Sequence, residues 1–276
     1  MNAARSQIGP DTRVYMSFSS RPGRFGAVVY NTLFAREGID AVYLPRSAPD
    51  HPEEIVACVR SLGLAGCSVS SPYKVDVLPL LDELEPDAER AGAVNTVYRG
   101  DDDRLVGACT DIDGVSGCLG EACRELAVRS ATVFGSGGVV GPAIVALRRL
   151  GIDDIRIASR NADAGRTVSE RFEVRFSKDL TPSDLVINAT PAGVESPDVP
   201  ILTSLLESAR LFLDMTVSPA ETAIVAHARG LGVVVCDGVD MCTTQVTSQA
   251  RRYLGRSVDP ATIREIVETR YLKRSV

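Results

Sequence analysis

The run TVFGSGGVVG, residues 132–141, sets three residues suited to a buried strand against a turn rich in glycine. Gly135, Gly137 and Gly138, with Ser136 among them, fall where the strand gives way to a helix. Missing side chains there permit close approach of a pyrophosphate, and the helix start adds unpaired backbone N–H groups and a favourable dipole. Glycines alone would mark any tight turn. The run IRIAS, residues 155–159, supplies the second strand of a βαβ unit and makes the string a dinucleotide-binding candidate. Val140 stands at the last glycine position of a plain GxGxxG reading and Gly141 one place later, so the helix–sheet contact must differ from that pattern. Pro142 restricts the first helical turn.

That second strand ends in IASRN, residues 157–161, where an NAD site would usually place an acid against the ribose hydroxyls. Ser159 and Arg160 stand there instead. A guanidinium can pair with a 2′-phosphate, which an acid would repel, so the reading favours NADP; Asp163 nearby keeps NAD open. The plainer reading of Arg160 is a solvent-facing arginine. Asn188 and Thr190, in NATPAG at 188–193, can line the nicotinamide side, although such groups are common in ordinary turns.

Further strands are predicted at DLVINAT (184–190), LFLDM (211–215) and VVVCDG (233–238). Their runs of Val, Ile and Leu do not alternate with polar residues, which predicts a parallel sheet covered on both faces. The first half also reads as open α/β. Strands are predicted at 13–16 and 41–44, helices around 28–35 and 52–62, and a strand in AGCSV (65–69). A helix is expected from Tyr73, and VNTVYR (94–99) with RLVGAC (104–109) reads as a hairpin turning on Gly100–Asp103. A helix is expected over 118–129, after a boundary in TDIDGVSG (110–117). The helix from about Thr243 can return to the first half. The expected domains are therefore 1–112 with 243–276, for substrate and catalysis, and 113–242, a Rossmann-like domain for the dinucleotide.

The chain has 276 residues, 45% of them hydrophobic and 24% charged, with a net charge of −6. That balance repels a nucleic-acid backbone, and no run suits a membrane span. The seven cysteines have no metal-ligand spacing and read as free thiols of a cytoplasmic protein; MNAARSQIGP at the start is followed by no apolar signal core. His51 and His227 stand apart from any ligand cluster. The expected partner is a small hydroxylated molecule bearing a carboxylate, taken up by a monomer or homodimer, with no metal.

Reduction of a ketone by hydride requires its oxygen to be protonated or otherwise stabilised. Lys74 can supply that proton, or remove one in reverse, and Asp111 can orient its ammonium; both follow predicted strands whose ends can share one cleft. Asn95, Thr96 and Gln245 can bond vicinal hydroxyls, and Arg24 can pair with a carboxylate. The residue types alone do not establish these roles.

With these residues in view the chain resembles the shikimate dehydrogenase family over nearly its whole length. The match is carried by GCSVSSPYK (66–74), AGAVNTVYR (91–99), CTDIDG (109–114), FGSGG (134–138), INATPAG (187–193) and DGVDMCTTQ (237–245). The resemblance implies an N-terminal α/β substrate domain with a Rossmann-like cofactor domain, and reversible interconversion of 3-dehydroshikimate and shikimate, usually with NADP, in aromatic amino acid biosynthesis. It assigns Lys74 and Asp111 to catalysis and Asn95 and Gln245 to substrate hydroxyls. Ser70 stands at a usual threonine, and Gly238 matches a glycine whose backbone lies near the nicotinamide. Arg160 matches an arginine that favours NADP, flanked by Ser159 and Asn161 in place of asparagine and threonine.

The carboxylate site departs from this pattern. Two serines of an SxSP segment are replaced by the stretch Arg24, Phe25, Gly26 and Ala27, and a tyrosine of a DxxY pattern by Val217. Ser17, Ser19 and Ser20 can substitute only if the loop shifts. The alternatives are therefore an enzyme of the same chemistry acting on quinate, aminoshikimate or another cyclic hydroxy substrate, and a noncatalytic nucleotide-binding regulatory protein. A methylenetetrahydrofolate dehydrogenase-like enzyme shares the architecture and uses a lysine, but matches AVNT, CTD and NATPAG less well.

Overall fold

The computed structural model describes residues 8–177 and 181–272. It divides the chain into two compact α/β units: one ends at Thr110 and resumes at Val246, and the other runs Asp111–Gln245. The divisions fall at 110/111 and 245/246, against the expected 112/113 and 242/243.

The first unit opens with β1 (Arg13–Ser19), α1 (Phe25–Arg36), β2 (Ala41–Ser47), α2 (Pro52–Ser61) and β3 (Gly66–Val69). Helix α1 buries Val29, Tyr30, Leu33 and Phe34, a stripe at helical spacing, while α2 starts on Pro52 with Glu53 and Glu54 in its first turn, where a helix favours them. No helix begins at Tyr73. Residues 71–77 are turns, followed by a short 3-10 segment Leu78–Leu80. Pro72 and Pro79 supply no N–H, and the bonds at Leu78 and Leu80 run to Val75 and Val77, three residues back. Beyond lie β4 (Glu83–Leu84), α3 (Pro86–Ala91), β5 (Thr96–Arg99) and β6 (Leu105–Ala108). The last two form the expected antiparallel hairpin, and the sheet order is β2-β1-β3-β5-β6-β4.

The second unit comprises α4 (Asp111–Glu125), β7 (Ser130–Phe134), α5 (Val140–Arg149), β8 (Asp154–Ala158), α6 (Ala162–Phe172), β9 (Arg175–Phe176), β10 (Leu185–Asn188), α7 (Pro200–Leu206), β11 (Leu211–Asp214), α8 (Ala223–Gly230) and β12 (Val234–Cys236). Helix α9 (Gly238–Leu254) starts in this unit, and α10 (Pro260–Ile266) belongs to the first. Helix α4 begins seven residues before the expected 118. Gly114 and Gly117 are poor helix formers, but a Cβ on the first would lie 3.0 Å from the Met241 carbonyl and one on the second 2.4 Å from Thr244. Close packing of α4 on the start of α9 therefore decides the outcome over local propensity.

The second sheet, β12-β11-β10-β7-β8-β9, is parallel throughout, as its unalternating apolar runs predict. Strand β7 is flanked by β10 and β8, so the order reverses beside it. The crevice at the carboxyl end of such a strand is where an open α/β sheet binds ligands. Among the described residues no helix is long and apolar enough to cross a membrane. All seven cysteines are free thiols.

Candidate active site

In the first unit, Lys74 sits in the turns after β3 with only 7% of its surface exposed. Its carbonyl accepts from the Val94 N–H at 2.8 Å, which ties this turn to the residue before Asn95. Asn95 is buried, and its Oδ1 accepts from Thr110 N at 2.8 Å, Thr110 Oγ1 at 3.0 Å and Thr96 Oγ1 at 2.9 Å. Because the Thr110 N–H can only donate, the oxygen faces Thr110 and the amide nitrogen faces away. That Nδ2 is buried with no hydrogen-bond partner. A buried donor left unpaired costs about 1–3 kcal/mol, which a ligand oxygen would recover. Ser70 is exposed, its N–H bonded to the Phe18 carbonyl.

In the second unit, Asp111 is the first residue of α4 and is 1% exposed. Gln245 Nε2 donates to its Oδ1 at 3.0 Å, and Gln245 Oε1 accepts from the Cys242 thiol at 3.4 Å. The bond to Asp111 fixes the Gln245 amide from within its own unit.

The glycine turn has the expected form. Gly135 has φ +144°, and a Cβ there would lie 3.1 Å from the Ala189 carbonyl; a Cβ on Gly137 would meet nothing within 4 Å. No side chain caps the start of α5. Open space over Gly137 and uncapped helix N–H groups fit a pyrophosphate. Gly138 is half-buried between them. Ser159 Oγ donates to Ser136 Oγ at 3.2 Å, joining the ends of β8 and β7, and Arg160 is exposed beside them. Asn161 caps α6 through Ala164 N. Asp163, the residue that keeps NAD open, is paired with Arg166.

Asn188 has its polar groups occupied. Its Nδ2 donates to the Ala192 carbonyl and to Asp214 Oδ1, and its Oδ1 accepts from the N–H and hydroxyl of Thr190. Both Asn188 and Thr190 thereby shape the loop 188–193. Asp214, fully buried at the end of β11, also accepts from Thr216 N and from Thr222 Oγ1, and burial raises its pKa. Sequence reasoning passes over Asp214 and Thr222. The available signal is a carboxylate ending the apolar strand LFLD. Gly238, at the start of α9, comes so close to the Thr216 carbonyl that a Cβ would lie 2.0 Å from its oxygen.

The loop before α1 directs Arg24 to the chain's tail. Its Nη2 donates to the Tyr271 carbonyl at 2.9 Å, and its guanidinium carbon lies 4.9 Å from the centre of that ring. Ser17 shares a hydrogen bond with the buried Tyr43 hydroxyl, which also bonds Ser68 at 2.7 Å. A cavity of about 110 Å³, lined by Asn31, Phe34, Ile39 and Asp40 among others, lies by the first residues of β2, away from the strand ends that carry these groups.

A profile of the shikimate dehydrogenase substrate binding domain matches residues 25–97. The shikimate dehydrogenase (NADP(+)) of Oleidesulfovibrio alaskensis is 34% identical over 250 residues, covering 87% of this chain and 88% of that one. The chain belongs to the shikimate dehydrogenase family. Its architecture extends across that family: a chorismate mutase/shikimate 5-dehydrogenase fusion protein from Clostridium acetobutylicum superposes with a TM-score of 0.85 at 25% identity, covering 96% of this chain and 100% of that one. The 5-ketofructose reductase of Gluconobacter sp. strain CHM43 superposes with a TM-score of 0.79 at 25% identity, covering 94% and 99%. The chain is thus a shikimate dehydrogenase-like oxidoreductase, with two α/β units of the expected class.

Proposed function

We propose that the protein reversibly interconverts 3-dehydroshikimate and shikimate with NADP, as the name of its Oleidesulfovibrio alaskensis relative implies for that enzyme. The observation that carries this reading is the unpaired, buried Nδ2 of Asn95, a donor suited to a substrate hydroxyl, in the same unit as the buried Lys74. Bound NADP would supply the hydride acceptor for the alcohol carbon, and NADPH the hydride donor for the ketone. Lys74 Nζ gives a proton to the ketone oxygen in reduction and takes it from the hydroxyl in oxidation. Asp111 orients and stabilises the lysine ammonium, while Gln245 and Asn95 hold neighbouring hydroxyls. Gly135, Ser136, Gly137 and Gly138 would hold the pyrophosphate, Ser159 and Arg160 the 2′-phosphate, and the backbone at Gly238 would lie on the nicotinamide side. Thr190, held by Asn188, completes that side. The protein acts in the cytoplasm in aromatic amino acid biosynthesis.

A second reading keeps this chemistry but replaces the substrate with a cyclic polyol or another hydroxy acid. It is favoured by the engagement of Ser17 with Tyr43, of Arg24 with Tyr271, and by Val217 where a tyrosine is usual. Nicotinamide absorbance followed with shikimate, quinate, aminoshikimate and 5-ketofructose, each with both dinucleotides, separates the two. Turnover of shikimate with NADP, cut by about 10²–10⁴-fold in Lys74→Ala, is expected. Turnover of quinate, aminoshikimate or 5-ketofructose without turnover of shikimate would replace the first reading with the second, and dinucleotide binding without turnover across the panel would point to a regulatory role.

A further inference from the structure

A continuous line of side-chain hydrogen bonds crosses the core of the first unit and ends on Asn95. Tyr30 Oη donates to Gln249 Oε1 at 2.8 Å, and Ser68 Oγ reaches the same oxygen at 3.1 Å. Gln249 Nε2 donates to Thr96 Oγ1 at 2.7 Å, and Thr96 Oγ1 donates to Asn95 Oδ1 at 2.9 Å. Tyr30, Gln249, Thr96 and Asn95 are all 4% exposed or less.

With the Asn95 oxygen set by the Thr110 N–H, the bonds at Thr96 have a definite direction. An amide nitrogen cannot accept, so Gln249 Nε2 makes the Thr96 oxygen an acceptor and leaves the threonine proton to point elsewhere. Its acceptor is Asn95 Oδ1, with Thr110 Oγ1 also close at 3.1 Å. Asn95 Oδ1 is thereby held by donors, and Nδ2 remains as the one unspent polar group of the line.

We propose that Gln249 is a positioning residue: by fixing the polarity of the Thr96 hydroxyl it joins the Thr110 N–H in holding the Asn95 amide with its nitrogen presented to a substrate hydroxyl oxygen. The proposal rests on the reading of Asn95 as a substrate ligand. It adds a residue four positions beyond Gln245 on α9, one helical turn along the same face. Networks of this kind act as a unit, so their members are coupled and their effects are not additive.

The test is a mutant cycle on the full-length protein. Gln249→Met keeps the volume and removes the amide. It should raise the shikimate KM about tenfold, the worth of roughly one hydrogen bond, with the NADP KM unchanged. Asn95→Ala should raise the shikimate KM too, and Gln249→Met added to Asn95→Ala should change it no further. An undiminished effect of Gln249→Met in the Asn95→Ala background would overturn the proposal, as would a fall in Tm with no change in the shikimate KM. If Gln249→Met does not fold, Thr96→Val should reproduce its KM effect and Thr96→Ser should restore it; equal KM values for these two would overturn the link. If the wild-type protein does not turn over shikimate, the proposed substrate fails, and a ligand-free neutron crystal structure of Gln249→Met, or of Thr96→Val if the former does not fold, which shows the amide deuterons directly, decides the positioning. Loss of a single Asn95 amide orientation supports it, and an unchanged orientation refutes it.

Discussion

Thr222 Oγ1 donates to Asp214 Oδ2 at 2.6 Å, so the residue that caps α8 is also a ligand of the buried carboxylate that ends β11. Asp214 thereby holds three segments together: the loop after β10 through Asn188, the turn after β11 through Thr216 N, and the start of α8. Asp214→Asn should destabilise the protein by about 1–3 kcal/mol, because at least one of these donors loses its acceptor. The pH dependence has a definite sign. Burial raises the folded-state pKa of Asp214 above its usual 3.8, so its stabilising contribution is full below the unfolded pKa and declines as pH rises through the folded one. Urea unfolding from acid to neutral pH should show the deficit of Asp214→Asn largest at the acid end and narrowing upward.

Arg160 is exposed at the end of β8, and Asp163 is already paired with Arg166. Arg160→Ala should therefore lower kcat/KM for NADP by about 10–100-fold, the worth of charged hydrogen bonds to a phosphate, with little effect on NAD. Steady-state rates with both dinucleotides measure the ratio. An equal loss with both would place Arg160 outside the 2′-phosphate site.

The free cysteines should differ in reactivity. The hydrogen bond between Cys118 and Cys236 lowers the Cys236 pKa and raises that of Cys118, while burial pushes Cys67 to about 12. Because the thiolate is the reacting form, brief alkylation at mildly alkaline pH should label Cys236 ahead of Cys118 and Cys67. Peptide mass spectrometry over a time course reads the order directly.

Arg24, whose residue type can pair with a substrate carboxylate, bonds Tyr271 within its own unit. Arg24→Ala should lower stability by about 1 kcal/mol, from contacts at an exposed residue, and leave the shikimate KM within about twofold. A tenfold rise in that KM, with Tm unchanged, would instead assign Arg24 to the substrate carboxylate.

Much of this was legible in the sequence because its causes are local. Strand β7 and the Gly135 turn follow from composition and spacing, and the hairpin at Gly100–Asp103 from turn chemistry. The early start of α4 was not legible, since Gly114 and Gly117 read as breakers until the packing of Met241 and Thr244 against them is known. The segment after Tyr73 looks helical from its apolar periodicity, and Pro79 outweighs it. At the candidate site, the identities of Lys74, Asn95 and Asp111 point to chemistry, but nothing in the string pairs Gln249 with Thr96, 153 residues away. Asn188 likewise reads as a donor for the nicotinamide side, because the partner that consumes its amide, Asp214, is 26 residues on.

The bond between Arg24 and Tyr271 has a practical side. The stretch before α1 is moored to a residue 247 positions further along the chain, so a change at Tyr271 is felt at Arg24, and the two positions have to be engineered as one.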